Sequence, residues 1–152
     1  MSTPRILMVC LGNICRSPMA EGVLKAKAEK AGIPLTIDSA GTSSWHQGQQ
    51  PDGRAMEEMR MNGIDISYQR SRPFTASDFD LFDHILVMDT SNRANVLSLA
   101  RNENDQKKVH LILDFGNEVK GKSVPDPYYD DSFDRVYELL DYACEAFIKT
   151  LK

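Results

Sequence analysis

Apolar positions along this chain form short runs that alternate with stretches of helical periodicity. The runs near 5–9, 35–38, 84–88 and 109–113 have the length of buried β-strands. Between and after these runs, apolar residues recur at three- and four-residue steps, as they do on one face of an amphipathic helix. Strands that alternate with helices predict right-handed βαβ units and a parallel sheet.

The helical pattern covers 18–31, 53–61, 91–101 and the stretch from Phe133 to Leu151. On the first helix the predicted apolar face consists of Ala20, Val23, Leu24, Ala28 and Ala31. Thr90 and Ser91 are candidate N-caps of the third helix. The fold class predicted from these elements is α/β, with a four-stranded parallel sheet between two layers of helices.

Length and composition indicate an ordinary globular protein. A chain of 152 residues predicts a single domain over 1–152, and 41% hydrophobic with 26% charged residues favours neither disorder nor a membrane span. The apolar run 6–11 is too short for a signal-peptide core. Three cysteines without a framework spacing fit a reducing compartment, so we expect a cytoplasmic protein that does not insert into membranes. A net charge of −4 argues against nucleic acid as a partner.

Polar residues gather at one edge of the predicted sheet. Each predicted strand is followed by a polar residue, namely Cys10, Ser39, Asp89 and Asp114. Ligands of parallel sheets bind beyond the carboxyl ends of the strands. Two long loops, 40–51 and 114–130, are also candidates for function.

The loop between the first strand and the first helix carries the most chemistry. It runs Cys10, Leu11, Gly12, Asn13, Ile14, Cys15 and Arg16, so that a cysteine and an arginine stand at its two ends. Backbone amides of a loop that enters a helix converge on an anion, and the same donors stabilise a thiolate. The guanidinium of Arg16 suits two phosphate oxygens. A thiolate that faces a bound phosphate is a nucleophile for phosphoryl transfer.

Two residues within the loop, and one just after it, support this interpretation. The hydroxyl of Ser17 can donate to the sulfur of Cys10, which helps the thiolate to form and later to leave. Gly12 permits backbone geometry that is closed to other residues. Asn13 tolerates a left-handed conformation and can tie the loop to its surroundings.

The run CLGNICRSP at 10–18, together with DPYY at 126–129, resembles the low-molecular-weight protein tyrosine phosphatases over essentially the whole chain. The resemblance implies a flavodoxin-like fold of the phosphotyrosine phosphatase I type. It implies hydrolysis of phosphotyrosine in proteins, with Cys10 forming a cysteinyl-phosphate while Arg16 and the loop amides bind the phosphate. Asp126 is then the general acid and later the base. We expect no metal or organic cofactor.

The resemblance also assigns a substrate cleft. Trp45, Tyr128 and Tyr129 are similar to the aromatic walls of a phosphotyrosine cleft, whose depth favours phosphotyrosine over the shorter phosphoserine. Some relatives that remove phosphate from arginine carry threonine at the position of Ile14. Isoleucine at this position resembles the tyrosine-directed branch. The expected partners are tyrosine-phosphorylated proteins and phosphate, and the expected state is a monomer or a weak dimer.

Residues that support the loop follow from the same resemblance. Ser39 matches a partner of the loop-bracing asparagine. Tyr68 and Gln69 stand where animal members carry histidine, so a bracing histidine is not carried over. Cys15 can form a disulfide with an oxidised Cys10, or it can simply pack in the loop.

Three other functions compete with hydrolysis of phosphotyrosine. Residues 116–123 satisfy the nucleotide-binding pattern G-x4-G-K-S, but Pro125 and Pro127 oppose the helix that this motif requires. A thiol-dependent arsenate reductase uses a similar loop but needs further cysteines, and the region after residue 75 offers only Cys144. A non-catalytic phosphate-binding module needs neither a nucleophile nor an acid, so the presence of both Cys10 and Asp126 argues against it.

Some polar residues are expected to be structural. The histidines, at positions 46, 84 and 110, are too scattered to predict a metal site. Asp89 is expected to cap a helix, and Arg70 and Arg72 are expected on a solvated face.

Overall fold

The computed structural model describes residues 3–152 and contains a four-stranded sheet in which every strand pairing is parallel. The strands are β1 (Arg5–Cys10), β2 (Thr36–Gly41), β3 (His84–Val87) and β4 (Val109–Leu111). Their order in the sheet is β2-β1-β3-β4. The predicted α/β class with a parallel sheet is therefore confirmed.

Six α-helices and one 3₁₀-helix connect and follow the strands within this described range. They are α1 (Arg16–Ala31), α2 (Gly53–Met61), α3 (Asp78–Leu81), α4 (Thr90–Leu97), α5 (Glu103–Lys107) and α6 (Phe133–Thr150), with the 3₁₀-helix at Ile112–Phe115. Helix α1 ends at Gly32, whose φ of 69° provides the left-handed C-cap. Ala31, which was predicted on the apolar face, is exposed at this helix end.

Each face of the sheet is covered by its own apolar cluster. Successive side chains of a strand point to opposite faces. Ile6 and Met8 of β1 pack with residues of α1, α2 and α6 on one face. Leu7 and Val9 pack with residues of α3 and α4 on the other face. The sheet therefore lies between two helical layers, as the sequence predicts.

The predicted helix over 91–101 is wrong in its extent. The structure has α4 over Thr90–Leu97 and a separate α5 over Glu103–Lys107. Asn102 is the N-cap of the second helix, since its side chain accepts a hydrogen bond of 2.9 Å from the amide of Asp105. Asparagine is among the best N-caps, so a new helix starts at this residue.

The N-cap of α4 is Asp89, as one of the two cap predictions has it. Asp89 accepts a hydrogen bond of 2.7 Å from the amide of Asn92, whereas the other candidates, Thr90 and Ser91, are the first residues of the helix. A carboxylate at this position also interacts favourably with the positive end of the helix dipole.

Strands β1 and β3 end within one residue of the predicted bounds, but β2 and β4 end two or more residues away from theirs. Strand β2 extends to Gly41, which pairs with Cys10 at the end of β1, so Ser39 lies within the strand and not after it. Strand β4 stops at Leu111, where the chain turns into the 3₁₀-helix that contains Asp114.

The topology explains where a ligand site forms. The chain passes from β1 to its neighbour β2 on one side and then crosses to β3 on the other side of β1. In open α/β sheets, the crevice at such a switch point receives the ligand. Cys10 ends β1 and Asp89 lies just beyond β3, so both flank this crevice. Within residues 3–152, none of the helices has both the length and the apolarity that crossing a bilayer requires.

Candidate active site

A cavity of about 200 Å³ opens at the carboxyl edge of the sheet. One wall is the phosphate loop, which we define as residues 10–16. The other walls come from two separate loops and consist of Trp45, His46, Asp126, Tyr128 and Tyr129. The structure thus brings Cys10, Arg16 and Asp126 together with the three aromatic residues that the sequence predicts for the cleft.

The sulfur of Cys10 is almost completely buried and lies 3.1 Å from the hydroxyl oxygen of Ser17. Nδ2 of Asn13 donates to the same hydroxyl oxygen at 2.8 Å. Because Asn13 donates to the oxygen of Ser17, the hydroxyl proton of Ser17 can be donated to the sulfur of Cys10 at 3.1 Å or to the carbonyl of Ala40 at 3.5 Å. The sulfur of Cys10 thus lies within hydrogen-bond distance of a hydroxyl on the first turn of α1.

Asn13 holds the phosphate loop from behind. Its φ of 56° is left-handed, which asparagine tolerates better than most residues. Nδ2 also donates to the hydroxyl of Ser39 at 3.0 Å, and Oδ1 accepts from the amide of Arg72 at 3.0 Å. The loop is therefore tied to α1, to β2 and to the segment before α3.

A buried carboxylate continues this hydrogen-bonded chain. Ser39 donates to Oε1 of Glu21 at 2.7 Å, and Lys25 pairs with Oε2 at 2.6 Å. Burial raises the pKa of Glu21, although the hydrogen bonds from Lys25 and Ser39 oppose the shift. Lys25 also donates to the hydroxyl of Tyr68 at 2.9 Å. Glu21 was not among the predicted site residues, because nothing in its local sequence separates it from other helical glutamates.

Arg72 lies behind the loop and not on a solvated face as expected. Its guanidinium pairs with the buried Asp78 at 3.1 Å and with Asp38 at 3.2 Å. These pairs fix the backbone amide that holds Asn13.

Arg16 is 3% exposed and lines the cavity together with Cys10. Nη1 donates to Oδ2 of Asp89 at 2.7 Å and to the carbonyl of Val124 at 3.0 Å. Nη2 lies 3.6 Å from Oδ2 of Asp126. Burial disfavours the charged guanidinium, yet the pKa of Arg16 is raised, because the negative charges of Cys10, Asp89 and Asp126 outweigh that cost.

Asp89 therefore has two roles where the sequence predicted one. Its Oδ1 caps α4 and its Oδ2 accepts from Arg16. The available signal was its place directly after a buried strand, at the edge where Cys10 also lies.

Asp126 lines the cavity from a position between Pro125 and Pro127, whose rings restrict the backbone on both sides. Its Oδ1 accepts a hydrogen bond of 3.1 Å from the amide of Tyr128, and 29% of its side chain is exposed. The carboxyl group can thus reach both the cavity and solvent, as proton exchange with a ligand or a water molecule requires.

Three aromatic side chains form the rim. The rings of Tyr128 and Tyr129 meet edge to face at 5.3 Å. Trp45 is 74% exposed and Tyr129 is 78% exposed, although both line the cavity. Large aromatic surfaces that face solvent beside a cavity are available to stack on a planar ligand.

His46 also lines the cavity, which the sequence analysis did not expect. A Cβ atom at Gly12 would lie 3.1 Å from its Cδ2 atom, so the glycine allows the phosphate loop to approach this ring. Nδ1 of His46 lies 3.1 Å from Oε1 of Gln49, which orients the ring.

The other two cysteines are protonated thiols. Burial, with smaller contributions from Asp52 and Cys10, raises the pKa of Cys15 well above its usual range. Burial in α6 raises the pKa of Cys144 to about 12.

The nucleotide-binding pattern at 116–123 lacks the helix that its chemistry requires. Residues 117–121 form turns, and the amide of Gly121 donates to Oδ1 of Asp114 at 2.7 Å. The next helix begins only at Phe133. A phosphate cradle of this type needs a helix that starts at the lysine and serine.

Fold and site together define a class of α/β protein in which a thiol and a guanidinium, at the two ends of one loop, line a cavity together with a carboxyl group. The family model described as low molecular weight phosphotyrosine protein phosphatase matches residues 5–152. The chain belongs to this family.

Individual relatives agree in sequence and in structure. The low molecular weight phosphotyrosine protein phosphatase of Schizosaccharomyces pombe is 41% identical, over 97% of this chain and 96% of the yeast protein. The protein tyrosine phosphatase structure from Entamoeba histolytica is 40% identical with a TM-score of 0.92, covering 98% of this chain and 97% of that one. The structure of Vibrio vulnificus Wzb in complex with benzylphosphonate is 31% identical with a TM-score of 0.84, covering 98% and 99%.

Proposed function

We propose that this protein hydrolyses phosphotyrosine in other proteins through a cysteinyl-phosphate intermediate. The observation that carries the proposal is the cavity that Cys10, Arg16 and Asp126 line together. Family membership supports the same activity, since the relatives named above are protein tyrosine phosphatases.

In the first step, the thiolate of Cys10 attacks phosphorus in line with the bond to the tyrosine oxygen. The S–P bond forms as the P–O bond breaks, while Arg16 and the amides of the phosphate loop hold the three equatorial oxygens. Asp126 gives its proton to the departing phenolate oxygen. Tyrosine leaves, and the enzyme carries the phosphoryl group on sulfur.

In the second step, water releases the phosphate. The carboxylate of Asp126 accepts a proton from a water molecule, whose oxygen attacks phosphorus as the S–P bond breaks. The hydroxyl of Ser17, 3.1 Å from the sulfur, stabilises the departing thiolate of Cys10. Inorganic phosphate then leaves, and Asp126 is again protonated for the next turnover.

The rim supports an aromatic phosphate as the substrate. Trp45, Tyr128 and Tyr129 surround the mouth of the cavity and can stack on a phenol ring. Ile14 adds an apolar surface to the wall and offers no hydroxyl to a guanidino group. Wzb, which binds a phosphonate attached to a benzyl group, gives the same indication. The proposal includes a monomer or weak dimer in the cytoplasm, where its three free thiols stay reduced.

Thiol-dependent arsenate reduction has less support. A relay of disulfides needs a second cysteine that can reach Cys10 and a third that can be reached from solvent. Cys144 is fully buried in α6, and its pKa of about 12 keeps it as a thiol.

The test is hydrolysis of p-nitrophenyl phosphate at mildly acidic pH in the presence of EDTA, followed by phosphotyrosine, phosphoserine and phosphoarginine. We expect turnover that EDTA does not change and a preference for phosphotyrosine. Absence of turnover by the reduced protein would contradict the proposal and favour a phosphate-binding module. A preference for phosphoarginine would contradict the substrate but not the chemistry.

Replacing Asp126 by asparagine should lower kcat/KM by about 10² to 10⁴ for phosphotyrosine, the range typical of general acid catalysis. The loss should be smaller for p-nitrophenyl phosphate, because nitrophenolate leaves without a proton. Asp134→Asn, at the exposed start of α6, is the matched control. Equal losses for good and poor leaving groups would show that Asp126 is not the acid.

A further inference from the structure

Arg54 lies outside the walls of the cavity, near the start of α2, yet its guanidinium joins two parts of the site. We define the acid loop as residues 126–131. We propose that Arg54 is a positioning residue that holds the acid loop against the phosphate loop, and thereby aligns the general acid with the leaving group. This inference rests on the proposed phosphatase function.

The guanidinium of Arg54 contacts the acid loop at three points. Nη1 pairs with Oδ1 of Asp131, and Nη2 donates to the carbonyl of Tyr128 at 3.3 Å. The guanidinium carbon also lies 5.4 Å from the ring centroid of Tyr128 and 4.9 Å from that of Phe133, the first residue of α6. These distances are typical of cation–π contacts.

The same side chain is anchored to the phosphate loop through Asp52. Nε of Arg54 donates to Oδ1 of Asp52 at 3.0 Å, and Nη2 donates to Oδ2 at 3.1 Å. The amide of Asp52 in turn donates to the carbonyl of Ile14 at 2.8 Å. Burial opposes ionisation of Asp52, but the hydrogen bonds from Arg54 prevail and lower its pKa. A continuous series of hydrogen bonds and ion pairs therefore links the phosphate loop to the acid loop.

Tyr128 transmits this constraint to the general acid. Its amide donates to Oδ1 of Asp126 at 3.1 Å, while its carbonyl and its ring contact Arg54. Any displacement of Tyr128 therefore moves the partner of the carboxyl group that must reach the leaving oxygen. Asp131 adds to the constraint, since its φ of 59° is unfavourable for a non-glycine residue and its carboxylate is held by Arg54.

An arginine suits this position better than a lysine. A single exposed ion pair contributes little to stability. Here one planar cation serves two carboxylates, one carbonyl and two aromatic rings, which a flexible ammonium group cannot do at the same time. The contacts fix the direction of approach of the acid loop, and reaction rates depend steeply on such alignment.

The test compares Arg54→Ala and Arg54→Lys with Arg60→Ala. Arg60 lies on the same helix, is exposed, and pairs with Glu57 one turn away, so it is the matched control. The measurements are kcat/KM for aryl phosphates whose phenols differ in acidity, and the inhibition constant of inorganic phosphate. Because kcat/KM includes the step that breaks the P–O bond, its dependence on the leaving group reports on the acid.

For Arg54→Ala we expect a loss of less than about 3-fold with p-nitrophenyl phosphate and of about 10-fold or more with phenyl phosphate and phosphotyrosine, because only poor leaving groups need the aligned acid. The inhibition constant of phosphate should stay within about 2-fold, since the phosphate loop keeps its own braces. Arg54→Lys should fall between wild type and Arg54→Ala, and Arg60→Ala should match wild type.

Two results would overturn the inference alone. One is an unchanged dependence on the leaving group in a folded Arg54→Ala protein, with Arg54→Lys as the second variant if the alanine variant unfolds. The other is a parallel loss of phosphate affinity, which would mean that Arg54 only stabilises the whole site. Absence of hydrolysis by the wild-type protein would instead overturn the proposed function together with this inference, so the two failures are distinguishable.

Discussion

Replacing Cys10 by serine is expected to abolish turnover while phosphate binding is largely kept. The serine hydroxyl is nearly the size of the thiol but does not ionise at working pH, so no nucleophile attacks phosphorus. Loss of an enzyme nucleophile lowers kcat by about 10⁴- to 10⁶-fold. The phosphate site should persist, because the groups proposed to bind phosphate are Arg16 and the backbone amides of the loop, which the substitution leaves in place.

The measurement is kcat with p-nitrophenyl phosphate together with the dissociation constant of inorganic phosphate from titration calorimetry. Cys144→Ala removes a thiol that is buried in α6 and separates loss of the nucleophile from loss of any cysteine. Turnover by Cys10→Ser within about 10-fold of wild type would contradict a cysteinyl-phosphate mechanism.

The fold was largely predictable from the chain because its major elements have strong periodicity. The buried strands and the apolar face of α6 each show as a regular pattern of apolar residues within one continuous segment. The prediction failed at α5, whose five residues ENDQK offer no apolar face. Such a helix exists because Asn102 caps it and not because its sequence is amphipathic.

The candidate site was also only partly predictable from the sequence. Cys10 and Arg16 stand at the two ends of one short run of the sequence, so the phosphate loop was visible as one motif. Asp89 was assigned only to capping, since the partner it orients, Arg16, lies 73 positions earlier. Arg54 was missed for the same reason, because its contact with Asp131 spans 77 positions. Such pairs become visible only in the folded structure, where distant segments of the chain meet.

Replacing Arg16 by lysine is expected to lower both phosphate affinity and kcat, which distinguishes it from Cys10→Ser. Nη1 of Arg16 is occupied by Asp89 and the carbonyl of Val124, while the rest of the planar group can address the phosphate. An ammonium group provides one point of charge and cannot serve both directions. Loss of a donor that stabilises the transition state costs about 10² to 10³ in kcat.

The check is kcat, KM and the inhibition constant of phosphate for Arg16→Lys, with Arg135→Lys on the exposed surface of α6 as the control. Asp89→Asn should reproduce part of the loss, since asparagine still caps α4 but no longer holds the guanidinium through a charge. If Arg16→Lys weakened phosphate binding without lowering kcat, the guanidinium would serve ground-state binding alone. A loss of both phosphate affinity and kcat is expected if the guanidinium binds the phosphoryl group in the ground state and more strongly in the transition state.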